Sequence, residues 1–302
     1  MELEVVKQSS SFTVGSKIRD YMVLVKMSLS IMVVFSAVIS YLLAPQVQFM
    51  WSRILLIAVG GFLVTGSANA LNQVMEKDTD ALMKRTARRP VAAGTMSQQE
   101  AWTFAIIALA AGLFILGWCF NFTSAIIALA SWFMYAYMYT PMKKVSSFSV
   151  LMGAIPGALP CLIGWTAGFP AGGEISWGGG WALFAIQFFW QFPHFWAIAW
   201  IAHKDYSAAG FKMLPSNAGP TKFSAIQAII YSLLLIPVGL IPYFIGMSGI
   251  VSLWIIFAAN IFMVIQAVRL YTSMTAGAAR RVMFSSYIYL PIVLLSMLAD
   301  KV

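Results

Sequence analysis

Long apolar stretches recur along the whole chain and are separated by short polar segments. Each is close to the roughly 20 residues that an α-helix needs to cross the hydrocarbon core of a bilayer. Nine such spans are predicted, close to residues 22–43, 54–74, 102–119, 122–140, 148–168, 181–201, 224–245, 250–270 and 283–299. The pattern predicts an all-α membrane protein of about nine transmembrane helices, with residues 1–302 forming one integral membrane domain.

The charged residues give these spans an orientation. If the polar segment 1–20 lies in the cytoplasm, all of the 19 lysine and arginine residues except Arg53 and Lys301 fall in cytoplasmic segments. Positive residues accumulate on the cytoplasmic side of membrane proteins. The asymmetry therefore supports both the number of spans and a cytoplasmic N-terminus, in the inner membrane of a bacterium.

Composition agrees with this interpretation. The chain is 61% hydrophobic and only 10% charged, and its mean hydropathy is +0.82, which is outside the range of soluble domains. Since the net charge of +9 follows from the topology, it does not indicate a nucleic-acid partner, and none is expected. Cys119 and Cys161 lie in apolar runs without metal-type spacing, so no disulfide framework is predicted.

The run NQVMEKDTDALMKRTARRP, at the end of the second span, carries the most specific chemistry. In a helix, residues four apart turn by about 400°, so Asn72, Glu76 and Asp80 share one face. Oxygen ligands of this kind suit Mg²⁺, which one or two carboxylates usually hold together with substrate phosphates. Arg85 and Arg89 follow at once, and guanidinium groups match phosphate oxygens. The run predicts a Mg²⁺–diphosphate site where the membrane meets the cytosol.

Other polar residues gather at the same predicted face of the membrane. Lys143 and Lys144 follow Pro141 after the fourth span, and a loop that contains Lys204 and Asp205 follows the sixth. The two lysines after Pro141 are either topology anchors or ligands of the substrate. The outer loops contain little chemistry, so the active face is predicted to be cytoplasmic.

The sixth span carries a second polar feature. Gln187, Gln191, His194 and Asp205 would share one stripe if the helix continued as far as residue 205. Polar side chains at bilayer depth normally face the protein interior or a wet cavity. The stripe therefore predicts the cavity-facing side of this helix, although a lone histidine in a membrane helix is as often a structural hydrogen-bonding residue.

Four further motifs extend these observations to a family resemblance. The Asn-x₃-Glu-x₃-Asp pattern resembles the first acidic motif of the UbiA-type intramembrane prenyltransferases. The sequences MKRTARRP at 83–90, YTPMKK at 139–144, GALPCLIGW at 157–165 and PHFWAIAWIAHKDYSAAGFKMLP at 193–215 are similar to the haem O synthase (protoheme IX farnesyltransferase) branch. The chain departs from the wider family in having Glu76 as the middle acid and in retaining only Asp205 of a second acidic motif.

The resemblance implies a helical bundle around a central cavity that opens to the cytoplasmic side. The implied reaction joins the farnesyl group of farnesyl diphosphate to a vinyl group of haem b, with addition of water, so haem is a substrate and Mg²⁺ the cofactor. Haem A synthase or a terminal oxidase are the implied protein partners, besides the lipid bilayer.

The resemblance also implies roles for particular residues. Asn72, Glu76 and Asp80 would bind Mg²⁺ and act in catalysis together with His194 and Asp205. Diphosphate would be held by basic residues, namely Arg85, Arg89, Lys143, Lys144 and Lys204. His194 would contact the porphyrin iron, its propionates or the attacking water, and the sequence does not choose among these three.

Two other functions stay open at this point. Another UbiA-type prenyltransferase, acting on a quinone precursor or chlorophyllide, would share the first motif and the topology. A membrane transporter would also contain buried polar groups, but it would be expected to place them near the bilayer midplane, whereas the charges here lie at one interface.

Overall fold

The computed structural model describes residues 14–45, 47–216 and 218–302. Fourteen α-helices follow one another in the described residues: α1 Val14–Leu24, α2 Met27–Leu43, α3 Trp51–Met75, α4 Lys77–Leu82, α5 Pro90–Ala93, α6 Gln98–Cys119, α7 Phe122–Phe133, α8 Thr140–Met142, α9 Ser149–Ala167, α10 Trp177–Ile201, α11 His203–Ala208, α12 Lys222–Phe244, α13 Ile250–Ser273 and α14 Ala276–Ala299. A π-helical segment, Met134–Tyr139, joins α7 to α8. This part of the chain contains one isolated β-bridge, between Ser248 and Lys301, and no strand.

Every predicted span coincides with a helix. Among the described residues, seven helical segments are long and apolar enough to cross a membrane, and an eighth results if α1 and α2, which meet at 52°, form one bent span. The helix α10, 25 residues long, is not in this set because Gln187, Gln191 and His194 make it more polar. Of the predicted N-terminal segment 1–20, residues 1–13 lie outside the described residues and the rest belongs to α1.

Polar residues at the helix starts mark where several spans begin. Ser97 accepts a hydrogen bond from the backbone N–H of Glu100, and Asn121 and Thr275 cap α7 and α14 in the same way. Such caps satisfy backbone N–H groups that have no partner within the helix. Single polar residues therefore mark where these three helices begin.

The centre of the bundle is α9, which packs against α2, α7 and α10. Small residues permit this close packing, because membrane helices associate mainly through van der Waals contact between closely approaching backbones. A Cβ atom at Gly164 would lie 1.9 Å from the carbonyl oxygen of Ala37 on α2. Pro156 and Pro160 are both accommodated inside α9, and Ser131 of α7 donates a hydrogen bond to the Pro156 carbonyl, which the missing N–H of Pro160 leaves free.

The irregular parts of the fold gather at the predicted cytoplasmic ends of the spans. Lys26, between α1 and α2, has a φ of 49°, in the left-handed region that side chains rarely adopt. The helical path is interrupted at Glu76 between α3 and α4, and at Ala202 between α10 and α11. These interruptions place short polar segments over the end of an apolar bundle.

The contact between α9 and α2 can be tested by a substitution that adds a single methyl group. We expect Gly164→Ala to destabilise the protein by about 2 kcal/mol, because the new Cβ would collide with backbone rather than with a side chain that can move. The apparent thermal midpoint in detergent should fall by roughly 5 °C. Gly178→Ala is the control, since a Cβ there meets nothing within 4 Å; equal midpoints for the two variants would contradict the packing described.

Candidate functional site

A small polar cavity lies between the helix ends on the predicted cytoplasmic side. Its volume is about 50 Å³. Thirteen residues line it: Lys26, Asn72, Glu76, Asp80, Met83, Arg85, Thr86, Arg89, Tyr139, Lys143, Tyr206, Phe211 and Met213. They come from the α1–α2 junction, the α3–α4 region and its following loop, the end of the π segment, the segment after α8, α11 and the loop after α11.

The end of α3 delivers three oxygen-bearing side chains to this cavity. Although the helix is interrupted at Glu76, the backbone N–H of Glu76 donates to the Asn72 carbonyl at 3.0 Å and that of Asp80 donates to the Glu76 carbonyl at 2.7 Å. The four-residue spacing of a helix is therefore preserved across the interruption. Asn72, Glu76 and Asp80 lie on one face as predicted, and all three are buried.

Each of the three oxygen-bearing side chains has a cationic partner. Lys26 Nζ donates to Asn72 Oδ1 at 2.7 Å, and Lys143 Nζ donates to Glu76 Oε1 at 2.8 Å. Nη1 of Arg89 contacts both Asp80 carboxylate oxygens, at 2.8 and 2.7 Å. Buried charges are costly unless they are paired, so the pairing explains how so many charges are accommodated at the edge of the membrane.

The ionisation of these groups reflects both burial and pairing. Burial by itself would raise the pKa of Glu76, but the charge and hydrogen bond of Lys143, together with Lys26 and Asn72, outweigh burial and hold the pKa of this carboxyl below its ordinary value. The same pair raises the pKa of Lys143 against the effect of burial. At Asp80 burial prevails over Arg89, and the pKa of this carboxyl is raised. The Glu76–Lys143 pair is therefore charged at neutral pH.

Aromatic rings and a loop hold Lys143 in place. Its Nζ lies 4.5 Å from the ring centroid of Tyr139 and 5.7 Å from that of Phe211, distances at which an ammonium is attracted to a ring face. The backbone N–H of Lys212 donates to the Lys143 carbonyl at 2.7 Å. The loop after α11 therefore closes one side of the cavity over this lysine.

Arg85, in the loop between α4 and α5, contacts α11 at the edge of the cavity. Its Nη2 donates to the Tyr206 hydroxyl at 2.9 Å, and its guanidinium lies 5.4 Å from the centroid of the tyrosine ring. Arg85 is exposed and has no carboxylate partner among the described residues. It therefore presents a guanidinium group that is available to an anion.

The excess of positive charge defines what the cavity can bind. Four basic side chains (Lys26, Arg85, Arg89 and Lys143) surround two acidic ones (Glu76 and Asp80), so basic groups outnumber acidic groups at the cavity. Such a site attracts a multiply charged anion, and its rigid guanidinium groups match the geometry of phosphate oxygens.

The donor set also fits a hard divalent cation. Two carboxylates and one amide oxygen on a single face are the ligands that Mg²⁺ accepts, provided that other oxygens complete its coordination. No cluster of three or more His, Cys, Asp or Glu side chains that could hold a metal occurs in residues 14–45, 47–216 and 218–302. The protein ligands are therefore suited to a metal that arrives together with an anionic substrate.

Four residues predicted for the site do not line the cavity. Lys144 and Lys204 are exposed, and Asp205 is half-buried on α11 beside the cavity-lining Tyr206. His194 lies inside α10, where Ser286 of α14 is its hydrogen-bond partner. The structure brings together six of the ten predicted residues, all from the α3–α4 region, the following loop and the segment after α8.

The prediction of one polar stripe on the sixth span is wrong. It assumed a continuous helix as far as residue 205, but α10 ends at Ile201. Gln187 and Gln191 donate to the carbonyls of Gly157 and Ala154 on α9, whereas His194 contacts α14. The glycine-containing surface of α9 lets the two amides approach its backbone, so they hold helices together instead of lining the cavity.

Seven of the thirteen lining residues were missed by the sequence analysis, among them Lys26, Tyr139 and Tyr206. Lys26 had been counted only as a topological charge. Its signal was its position inside the predicted span 22–43, because an ionisable residue within a membrane span is costly and usually functional. Tyr139 and Tyr206 lie within the motifs at 139–144 and 193–215 but were given no role there, since their position at the cavity depends on contacts between distant segments.

The fold and the site define an intramembrane enzyme of the prenyltransferase class, and comparison with known proteins agrees. Residues 33–289 match the model of the UbiA prenyltransferase family, and the chain belongs to this family. It is an integral, multi-pass membrane protein.

Similar relatives narrow the comparison. The protoheme IX farnesyltransferase of Cytophaga hutchinsonii is 42% identical over 95% of this chain and 99% of its own length. The protoheme IX farnesyltransferase of Flavobacterium johnsoniae is 40% identical over 97% of both chains.

Solved structures share the fold at lower identity. A digeranylgeranylglyceryl phosphate synthase is 20% identical with a TM-score of 0.76, covering 94% of this chain and 98% of its own. A UbiA homologue from Archaeoglobus fulgidus, solved with GPP and Mg²⁺, is 17% identical with a TM-score of 0.65. The match covers 93% of this chain and 99% of the homologue.

The Lys143–Glu76 pair makes a prediction about stability and pH. Lys143→Met leaves a buried carboxylate unpaired, which should cost about 3–5 kcal/mol at pH 7 and lower the apparent thermal midpoint by roughly 5–15 °C. Since pairing lowers the pKa of Glu76, its stabilising effect is present above the ordinary carboxyl pKa and is lost as pH falls through the lowered value. The difference in thermal midpoint between variant and wild type should therefore become smaller towards acidic pH.

The adjacent lysine supplies the control for this measurement. Lys144→Met removes the same charge from an exposed position and should leave the midpoint unchanged at every pH. If the two variants were indistinguishable at pH 7, the Lys143–Glu76 pair would not contribute to the folded state.

Proposed function

We propose that this protein transfers the farnesyl group of farnesyl diphosphate to a vinyl group of haem b, with addition of water, and releases haem O and diphosphate. Two relatives named protoheme IX farnesyltransferase match nearly the whole chain at 40–42% identity. The structural observation that carries the proposal is the cluster of three oxygen ligands and four cations at the end of an apolar bundle. This cluster would bind the charged leaving group, and the apolar bundle beside it would hold the two hydrophobic substrates in the membrane.

The proposed metal ligands are Asn72, Glu76 and Asp80. Mg²⁺ bound there would neutralise the diphosphate and so make it a better leaving group. The coupling of metal and substrate fits the donor set, because the three protein oxygens leave coordination positions for phosphate. The A. fulgidus homologue, solved with GPP and Mg²⁺, provides a precedent within the fold.

The cations would exchange partners when the substrate binds. A cavity of about 50 Å³ is too small for a diphosphate, so Lys143 and Arg89 must turn from Glu76 and Asp80 towards the phosphate oxygens. Lys26 would likewise turn from Asn72 to a phosphate oxygen when Asn72 binds the metal. Each cation keeps an anionic or polar acceptor throughout, which avoids the cost of an unpaired buried charge.

Arg85 would supply the first contact with the incoming diphosphate, since it is exposed at the mouth of the cavity. We leave Lys144, Lys204 and Asp205 out of the direct binding site, because they do not line the cavity. The two lysines fit better as positive-inside anchors, with the N-terminus in the cytoplasm and the protein in the bacterial inner membrane.

The aromatic lining suits the cationic intermediate. Departure of diphosphate leaves an allylic cation that water would destroy, and a largely dry pocket prevents this. Tyr139 and Phe211 already face the ammonium of Lys143, and ring faces of this kind stabilise positive charge. These rings would keep water away and favour attack by the vinyl group.

The two alternative functions are less well supported. An enzyme that prenylates a quinone precursor or chlorophyllide would use the same diphosphate site. However, the relatives that match nearly the whole chain at 40–42% identity are named protoheme IX farnesyltransferase. A transporter would be expected to bind its substrate near the bilayer midplane, whereas the charged cavity lies at the helix ends.

The reaction can be tested directly with purified protein. Incubation with farnesyl diphosphate, haem b and Mg²⁺ should yield a haem heavier by one hydrated farnesyl group, detected by mass spectrometry of extracted haems, together with released diphosphate. Unaltered haem, under conditions in which the C. hutchinsonii relative converts it, would refute the proposal. Prenylation of a quinone precursor instead would support the first alternative.

The metal assignment makes a separate prediction. Glu76→Ala and Asp80→Ala should each lower turnover at least about 100-fold, and EDTA should abolish the activity of the wild type. Asp78→Ala is a matched control, because Asp78 is exposed on the other side of α4 and should retain activity. Near-normal rates in both variants, or activity that survives EDTA, would remove these carboxylates from the mechanism.

A further inference from the structure

His194 is a buried polar residue that does not belong to the diphosphate site. It is one of two histidines in the chain, it is 8% exposed, and it lies seven residues before Ile201, the last residue of α10. At 1.5 Å per residue this is about 10 Å below the helix end. Its surroundings come from α10 and α14, not from the cavity described above.

The hydrogen bonds around Ser286 determine which imidazole nitrogen carries the proton. The Ser286 hydroxyl donates to the Met283 carbonyl at 2.6 Å, and Nδ1 of His194 lies 2.8 Å from the same hydroxyl oxygen. A serine has a single hydroxyl proton, which is already directed to the carbonyl. Nδ1 must therefore be the donor to Ser286, and in the neutral ring Nε2 carries the free lone pair.

That lone pair has no partner in the part of the chain that the structure describes. Among the described residues no side chain or backbone group hydrogen-bonds Nε2, and Nε2 is not one of the fully buried polar atoms without a partner, which are Ser40 Oγ, Gln73 Oε1, Ser248 Oγ and Gln266 Oε1. Nε2 therefore retains some of the exposure of the ring. A purely structural histidine would be expected to hydrogen-bond through both nitrogens, because leaving one of them buried and unpaired is costly.

Neighbouring rings hold the imidazole in this orientation. Trp190 stacks on it with a centroid distance of 4.9 Å and an interplanar angle of 17°, and Trp190 is itself fixed by a hydrogen bond from its indole N–H to the Ser286 carbonyl. Tyr287 packs edge-on at 5.1 Å and is 45% exposed, so the imidazole borders a surface that a membrane-dissolved molecule can reach.

A neutral imidazole with Nδ1–H engaged and Nε2 free is the arrangement of a metal-binding histidine. The hydrogen bond from Nδ1 orients the ring and raises the basicity of the other nitrogen, and histidine is a common axial ligand of haem iron. We propose that His194 Nε2 binds the iron of the haem substrate axially while the porphyrin is farnesylated. This rests on the proposed function, and it selects the iron among the three contacts considered for His194.

Axial binding would solve a positioning problem. A porphyrin is flat, and a single axial bond fixes its depth in the membrane while leaving its edges, which carry the vinyl groups, uncovered. With the iron held about 10 Å below the end of α10, one edge can reach towards the cytoplasmic cavity where the allylic cation forms. The apolar neighbours of His194 suit the body of the macrocycle.

Visible absorption spectroscopy of haem b added to the purified full-length protein tests this assignment. We expect the wild type and His203→Ala to give the same shifted Soret band, whereas His194→Ala should lose it. His194→Asn keeps a donor for Ser286 without an iron ligand, so it should also lose the band while remaining folded. Added imidazole should restore the band in His194→Gly, and Ser286→Ala should weaken haem binding about tenfold.

The outcomes separate this inference from the proposed function. If the wild type converts haem b but His194→Asn gives the wild-type spectrum and haem affinity, His194 is not the iron ligand and the proposed reaction stands. If the wild type neither shifts the haem spectrum nor converts haem, the reaction itself is refuted and the inference with it. Loss of the band in His203→Ala but not in His194→Ala would also overturn the assignment.

Discussion

The pairing of three cationic side chains with Asn72, Glu76 and Asp80 is the interaction on which the polar end of this structure depends. Charges at the edge of a bilayer are costly unless they are paired, and here each partner comes from a different segment. Lys26 lies between α1 and α2, Arg89 precedes α5, and Lys143 follows α8. The chemistry of the site therefore also holds the ends of the bundle together.

The irregular backbone of the protein follows from the same constraint. Straight apolar helices would end in lipid headgroups without converging, whereas the bend at Lys26, the interruption at Glu76 and the π segment before Thr140 redirect the chain over the cavity. Left-handed backbone at a non-glycine residue is unfavourable and persists where surrounding structure enforces it. The contact between Lys26 and Asn72 is one such enforcing interaction, so strain at the α1–α2 junction and ligand placement are linked.

The sequence predicted those features that depend on local spacing. Hydrophobic runs identified the helices because crossing a bilayer requires a minimum length, and four-residue steps placed Asn72, Glu76 and Asp80 on one face because helical geometry is fixed. Contacts between distant segments were not predictable in this way: the interruption of α10 at Ala202 is not marked by proline or glycine, and Tyr206 lies at the cavity only because the chain turns there. The polar stripe failed for the same reason, since its amides found partners on α9.

The separation of polar and apolar chemistry within one bundle has a physical rationale. A diphosphate needs many charges and a hydrated entrance, whereas a porphyrin and an allylic cation need a dry, aromatic environment. Placing the porphyrin and the diphosphate at one depth would either bury the charged side chains without partners or open the apolar site of the porphyrin to water. In the proposed mechanism, charged ligands at the helix ends and a neutral imidazole about two helical turns deeper would meet both requirements. In the proposed reaction His194 and Glu76 would mark the two ends of the substrate site. The edge of the porphyrin would connect them, because its vinyl group must reach the same farnesyl carbon that carried the diphosphate.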